Sequence, residues 1–485
     1  MPEDGFNYSI GRRDFLAFSL FGFDLFDLSL FSFFPKKYLY DLIVVGGGHA
    51  GLAAAVTARE NGLKVLVIEK KPRLGLNVFS DTGIFASSSN AKGIRNPGDS
   101  VERHAQDVYL GGGEKSDLYL ISAFTKEAPA AIRWLSQLGM KFEDEPFDSN
   151  SLYPRCFRPI HVGYMEVLQK EALRLGVEFV YQECAEKILL DHRKISGVEV
   201  RNSKDEKKQY RCRQLLLSSG GFSANPDLVR KNSLFSEVQI NARVGSDGKM
   251  ILAAEEIGAQ VVGMDRILCK PRPDDIYSQG YLHIDVAKVI YVNKKGERFI
   301  SEDAYRKDLL SAFLKQLPDY VYEISDNSAV RSFSLDVQKD LWRGLEKGEA
   351  FKASSIEELA KDLGVEPKGL KRTVEEYNRA VFRGVDRELG KNQINLSHPF
   401  LESPFWGVKV KMVVHESTGG LRIDAGCRVL DAENKPIEGL FAAGAIVGNL
   451  HGENRLGGNG ISSAICLGRI AGRSASLLRK DENES

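Results

Sequence analysis

The sequence predicts an α/β protein in which a Rossmann-like dinucleotide-binding domain is interrupted by an α+β capping domain. Three observations carry that prediction. An apolar run, Tyr40 to Val45, leads straight into Gly46-x-Gly48-x-x-Gly51; a helix-like stretch and a second apolar strand ending in Glu69 follow. From about residue 266 to 414, charged and proline-containing stretches replace the alternation of strands and glycine turns. From His415 that alternation returns, and Gly457-Gly458-Asn459-Gly460 opens a last helical run, Ile461 to Leu478. The expected organisation is a targeting or anchor segment over 1–37, a first nucleotide-binding part over 38–266, an inserted domain over 267–414, a second nucleotide-binding part over 415–480 and a tail over 481–485.

In the first βαβ unit each part has a task. Gly46 makes the tight turn. Gly48 lets the backbone approach a pyrophosphate without a Cβ in the way. Gly51 lets helix and strand pack closely. The helix from Leu52 to Asn61, stopped by Gly62, turns its free N–H groups and positive dipole toward phosphates. Glu69 can accept hydrogen bonds from the adenosine ribose, and its charge disfavours a 2′-phosphate. The next segment, Leu74 to Asn90, is rich in small polar residues, among them Asn77, Ser80, Thr82 and Gly83. That composition suits a loop lying along an isoalloxazine ring and its ribityl chain.

Helices are expected within 115–142 and from Tyr164 to Leu175. Strands are expected at Val177 to Tyr181, Lys187 to Asp191, Ile195 to Val200 and Arg213 to Leu217. The last of these feeds a glycine turn at Gly220-Gly221, again on the nucleotide side. Within the insertion, Val292 to Phe299 reads as a strand with a reverse turn, and helices occupy roughly 355–383. Strands return at Leu421 to Ile423 and Leu440 to Ala442, the latter followed by Gly444.

At 485 residues the chain can bury large cores, and its 66 basic and 66 acidic residues balance. Such a balance gives no support to nucleic-acid or polybasic membrane binding. The six cysteines are far apart and no CxxC occurs, so neither a zinc nor an iron–sulfur framework is expected, and no metal site is assigned. No haem-attachment motif is present. Near the start, Gly11-Arg12-Arg13-Asp14-Phe15-Leu16 precedes an apolar run to Phe34. It is similar to a twin-arginine export signal, with a periplasmic destination and an uncleaved anchor as a further option; the alternative is an amphipathic helix packed on the domain of a cytoplasmic protein.

The stretches His415-Glu416-Ser417-Thr418-Gly419-Gly420, Gly439-Leu440-Phe441-Ala442-Ala443-Gly444 and His451-Gly452-Glu453-Asn454-Arg455-Leu456-Gly457-Gly458-Asn459 carry a resemblance. From about Tyr38 to Leu478 the chain resembles the fumarate reductase and succinate dehydrogenase flavoproteins, most closely the soluble flavocytochrome c-type fumarate reductases. The resemblance implies an FAD-binding domain interrupted by a clamp, with substrate held between the two against the flavin. It implies reduction of an unsaturated carboxylate, fumarate or a related 2-enoate, with hydride from flavin N5 and a cytochrome c as one plausible electron donor. FAD is expected without a covalent bond, because Leu74 to Ser80 contains no histidine.

By the same resemblance Arg306 is the proton donor, and Asp285 and Lys288 form the relay that restores its proton. His415 and Arg455 hold a substrate carboxylate. Arg272, in Arg272-Pro273, stands where the family has a histidine as a second carboxylate ligand, and Ile284 stands where fumarate reductases often have threonine. Ala445 replaces a frequent glutamate beside the ribityl chain. The expected cofactor contacts are Gly46, Gly48, His49, Ala50, Gly51, Glu69, Lys70, Asn77, Ser80, Thr82, Gly83, Gly220, Asp247, Gly444, Asn459, Gly460 and Ile461. Two other functions are compatible with an FAD domain: a dehydrogenase desaturating succinate or a ketosteroid, and an electron-relay subunit without its own substrate. By the resemblance Arg306 argues against a ketosteroid dehydrogenase, and Arg306, His415 and Arg455 together argue against an electron-relay subunit.

Overall fold

The computed structural model describes residues 39–75, 83–88, 98–144, 146, 153–231, 235–236, 238–240, 246–273, 282, 285–333 and 335–484. The expected N-terminal segment, Asn77, Ser80, Thr82 and Ile284 lie outside these residues.

The first sheet is built around strand Tyr40–Val45, whose residues are buried except Asp41. A near-continuous apolar strand suits a parallel sheet covered on both faces. It lies between Val65–Glu69 and Lys207–Leu217, parallel to both, and the order continues to Glu178–Tyr181 on one side and Pro436–Ala442 on the other. The helix His49–Glu60 connects the first two strands and packs against the closing helix, Asn459–Glu484. Glycine makes that approach possible. A Cβ at Gly468 would stand 2.3 Å from the carbonyl oxygen of Ala50, and one at Gly472 would stand 2.7 Å from that of Ala54. Residues more than four hundred positions apart thus form one layer over the sheet.

Strand Lys207–Leu217 is longer than its apolar part suggested. Its second half pairs with Tyr40–Val45, while its first half pairs antiparallel with Lys194–Asn202, which pairs with Glu183–Asp191. The first half carries Lys207, Lys208, Gln209 and Arg211, so it forms part of a solvated ribbon that apolar content does not flag.

A second sheet has the long strand Phe405–Ser417 as its spine. Gln239–Ile240, Ile267–Arg272, Val321–Ser325 and Ala350–Ala353 all pair with it, and Ile290–Val292 pairs with Val321–Ser325. This sheet therefore begins at Gln239, ahead of residue 267, and its spine runs through position 415. Helices Ile356–Leu363 and Pro367–Arg383 cover one face, burying Ile290, Val292, Ile324, Leu359 and Leu370. Between two of those residues, Tyr291 belongs to the other face, as strand alternation requires. Its ring meets Phe313 of helix Arg306–Leu314 edge to face at 5.3 Å.

The segment entering that helix is pinned by a buried ionic network. Glu302 is bonded to Arg298 at 2.8 Å and to Lys391 at 3.2 Å, and Arg298 also reaches Asp386 at 3.0 Å. The Glu302 carboxylate additionally accepts the Tyr291 backbone N–H. All four side chains are almost fully enclosed, so the segment that leads into the helix at Arg306 is anchored.

Candidate active site

The glycine turn has the geometry its motif implies. Gly46 adopts φ +98°, and a Cβ there would stand 2.6 Å from the Ser218 carbonyl oxygen. A Cβ on Gly51 would stand 2.0 Å from the Gly46 oxygen. At Gly48, in contrast, a Cβ would meet no atom within 4 Å. Gly48 caps helix His49–Glu60 without a side-chain hydrogen bond, and no acidic residue stands in the first turn. The backbone therefore presents an open cradle of N–H groups, which fits a pyrophosphate. Glu69 is buried at the end of its strand. One carboxylate oxygen accepts the Gly47 N–H at 3.0 Å and the other accepts the Lys71 N–H at 3.0 Å, so Glu69 also fixes the turn. Lys70 bonds Asp247 at 3.0 Å, next to Gly220, whose φ is +88°. Gly444, at φ +83°, packs against Ala50, and a Cβ there would stand 2.8 Å from that of Ala50. His49 meets Tyr164 edge to face, and the Tyr164 hydroxyl donates to the Gly83 carbonyl at 2.9 Å. Asn459 is buried with its side-chain oxygen 2.8 Å from His104 Nε2. Gly460 follows it, and a Cβ there would stand 2.7 Å from the Arg455 guanidinium. Ile461 lies in the first turn of the closing helix, only partly buried.

The second group of candidates gathers on the edge of the second sheet. Strand Ile267–Arg272 runs antiparallel to Phe405–Ser417, with Leu268 opposite Glu416, Cys269 opposite Val414 and Lys270 opposite Val413. The register shift leaves His415 as an extra residue, a bulge that re-aims its side chain. Helix Arg306–Leu314 packs on both strands and brings Arg306 as its first residue. The loop before the closing helix brings Arg455, whose Nε is bonded to Glu416. That loop is held in place by the Thr418 hydroxyl, which donates to Gly452 at 2.7 Å, and by the Asn454 amide, which donates to Gly111 at 3.1 Å.

The charges in this group act on one another. His415 is pushed well below the ordinary histidine range, first by burial and then by Lys270, Arg455, Arg272 and Arg306. It is neutral near pH 7 and offers a hydrogen bond rather than a charge. Glu416 feels burial most, which favours its neutral form, yet the charge and hydrogen bond of Arg455 outweigh it and keep the carboxylate ionised. The nearby His451 is lowered to about 3 by burial and by Arg455, with Glu416 opposing. Buried Arg272 belongs to the same field. Fixed positive charge here comes from three guanidiniums and suits an anionic ligand.

Asp285 and Lys288 pair with each other at 3.0 Å. The pair is partly exposed, Asp285 also caps the short helix Val286–Lys288, and Lys288 donates to Ser332 at 2.9 Å. Two members of the site had not been singled out from the sequence, Lys270 and Glu416. Lys270 stands two residues before Arg272 on one strand, and Glu416 directly follows His415. Strand alternation from Arg272 would have pointed to the first.

The family described as FAD binding domain matches residues 41–461. Over 452 residues the chain is 33% identical to the NADH:fumarate oxidoreductase of Klebsiella pneumoniae (strain 342), covering 91% of this chain and 48% of that protein. It thus spans about half the length of that relative. It is 30% identical to the probable fumarate reductase Ifc3 of Shewanella frigidimarina (strain NCIMB 400), covering 91% and 75% of the two chains. Among solved structures it is similar to the open conformation of a flavocytochrome c3 fumarate reductase, with a TM-score of 0.74, 27% identity and coverage of 91% and 79%. The open cradle at Gly48, the interrupted α/β fold and these matches have one reading: the chain belongs to the FAD binding domain family of oxidoreductases, alongside the flavocytochrome c-type fumarate reductases.

Proposed function

We propose that this chain is an FAD-dependent reductase of an unsaturated carboxylate, fumarate or a related 2-enoate. The observation that carries the reading is the convergence of Arg272, Arg306, His415 and Arg455, from four separate segments, on one electrostatic field. Residues 267–414 act as the cap over the flavin in this reading. Reduced FAD, when bound, supplies a hydride to one alkene carbon. Arg455 and Arg272 hold carboxylate oxygens by charge-assisted bonds, and neutral His415 adds an N–H donor. Arg306 gives a guanidinium proton to the neighbouring carbon. Arginine holds its protons tightly, so the step needs a relay to restore it. The partly exposed Asp285–Lys288 pair suits that task, because it can draw on solvent. FAD is held without a covalent bond, and a separate donor, such as a cytochrome c, supplies electrons.

The test uses purified yellow protein reduced by a viologen dye and then offered fumarate, methacrylate, acrylate or urocanate. Rapid flavin reoxidation by at least one enoate is expected. A flavin-replete protein that no enoate reoxidises would overturn the reading and leave the dehydrogenase and electron-relay alternatives. Denaturation should release all of the flavin into the supernatant if no covalent bond exists. Arg12 and Arg13 support twin-arginine export to the periplasm. Replacing both by lysine should retain the protein in the cytoplasm, and unchanged fractionation would remove that part of the reading. Among the described residues no helix is long and apolar enough to cross a membrane.

A further inference from the structure

The proposed reaction leaves Lys270 without a task. Lys270 and Arg272 are two positions apart on strand Ile267–Arg272 and so share a face. The groups facing Lys270 come from every element around it. Arg272 lies on its own strand, Arg306 on the helix packed across that strand, and Arg455 on the loop before the closing helix. His415 and Glu416 lie on the adjoining strand. Three guanidiniums thus act on the amine, with Glu416 as the opposing carboxylate, itself ion-paired to Arg455. Lys270 keeps part of its surface accessible, yet desolvation of its amine is the largest influence on it, followed by Arg306, Arg455 and Arg272, and together they push its pKa well below the ordinary lysine value. An arginine cannot relieve such crowding by losing its proton, whereas a lysine can.

We propose that Lys270 is the charge-regulating group of this site: an anionic ligand seated among Arg272, Arg306 and Arg455 draws one solvent proton onto the Lys270 amine. The inference rests on the carboxylate-site reading above. The balance is simple. The neutral amine gains a proton from the medium, the ligand keeps its charge, and the added positive charge is neutralised by the ligand's own. Binding that consumes one proton weakens by about tenfold for each pH unit above the range in which Lys270 is already charged in the empty site. Lysine at this position therefore lets the site stay less strongly charged when empty and become fully cationic when occupied.

The experiment is calorimetric titration of oxidised, FAD-loaded protein with succinate, a saturated dicarboxylate with no alkene to reduce, while the flavin spectrum is followed to show that the cofactor stays oxidised. It is run in buffers of differing ionisation enthalpy across roughly pH 6 to 10, the span between ordinary histidine and lysine titration. Wild-type protein should take up close to one proton per succinate in part of that range. Lys270→Arg keeps the charge but cannot gain a proton, so it should bind succinate with no uptake in the same range. Lys270→Gln should bind more weakly, also without uptake, which guards against misfolding of either variant. Proton uptake that persists unchanged in Lys270→Arg would assign it to His415 and overturn the inference. Wild-type binding with no uptake at any pH would overturn it as well, leaving the carboxylate site intact. Failure of wild-type protein to bind succinate, fumarate or any other carboxylate would overturn the parent reading instead.

Discussion

Arg306 and Arg455 both bring a guanidinium to the site, yet their surroundings separate what each should do. Arg306 belongs to helix Arg306–Leu314 and not to the glycine turns, so Arg306→Ala should leave flavin content unchanged. General acid catalysis contributes typically 10²–10⁴-fold, and that is the expected loss in alkene reduction, roughly 3–5 kcal/mol of barrier. Turnover close to wild type would mean that the proton comes from another group. Arg306→Lys retains a charge and a transferable proton with a shorter reach, so only partial activity is expected. Arg455 is bonded to Glu416 and packs over Gly460, which ties substrate anchoring to the start of the closing helix. Arg455→Ala should therefore raise KM as well as lower kcat, the pattern expected when ground-state and transition-state contacts are lost together. A kcat loss with unchanged KM would argue that Arg455 does not hold the carboxylate. Arg306, His415 and Arg455 were legible because each sits in or near a motif. Lys270 and Glu416 were not, since their significance comes from a strand pairing that joins segments about 145 residues apart, as Leu268 opposite Glu416 shows.

At the scale of elements, the glycine turn offers a contrast that separates folding from cofactor binding. Gly48 has φ −81° and open space where a Cβ would go, so Gly48→Val should fold with a near-normal Tm yet purify without yellow colour. Gly51→Val places a side chain 2.0 Å from the Gly46 oxygen at the first branch, so it should unfold the βαβ unit or lower Tm sharply. Equal flavin content in Gly48→Val and wild type would remove the pyrophosphate from that position. The ionic network under Arg306 makes a second prediction. Glu302→Ala leaves the enclosed Lys391 cation without its carboxylate and Arg298 with Asp386 alone. Removing one partner of a buried pair costs about 3–5 kcal/mol, which chemical denaturation should register. Most of the first sheet was legible because its central strands are continuous apolar runs. The charged half of Lys207–Leu217 was not, because a ribbon solvated on one side carries no apolar signature. The limits of the second sheet were hidden for a related reason. Gln239–Ile240 is only two residues long, and His415 heads a motif while belonging to a strand that began at Phe405.

For the molecule as a whole, the resting protein holds neutral histidines inside, and this sets how it responds to acid. His104 and His415 are buried and His451 is partly buried, and all three are pushed below the ordinary histidine range. Burial is the largest cause for each. Arg155 adds to it at His104, which falls to about 3, and Arg455 adds to it at His451, also at about 3. In the unfolded chain each would titrate near the ordinary histidine value of about 6.5. Between these values the unfolded state binds protons that the native state refuses. Stability therefore rises with pH through the window and falls as pH drops below about 6.5, by roughly 1.4 kcal/mol per pH unit for each such group. Ionised Glu416, paired with Arg455, acts in the same direction at lower pH. Urea denaturation at a series of pH values between 7 and roughly 4.5 should thus show stability declining with a slope of two to three protons. His104 gives the sharpest test. The Asn459 amide donates to the Gly457 carbonyl at 2.9 Å, so its oxygen faces His104 and the imidazole donates through Nε2. His104→Gln can keep that donated bond through its amide but cannot titrate. Its stability near pH 7 should stay within about 1–2 kcal/mol of wild type, the scale of an imperfectly replaced hydrogen bond. Its acid slope should fall by close to one proton. A slope that does not change would mean that His104 exchanges its proton alike in the folded and unfolded chain, and that the interior around Asn459 is far wetter than its burial indicates.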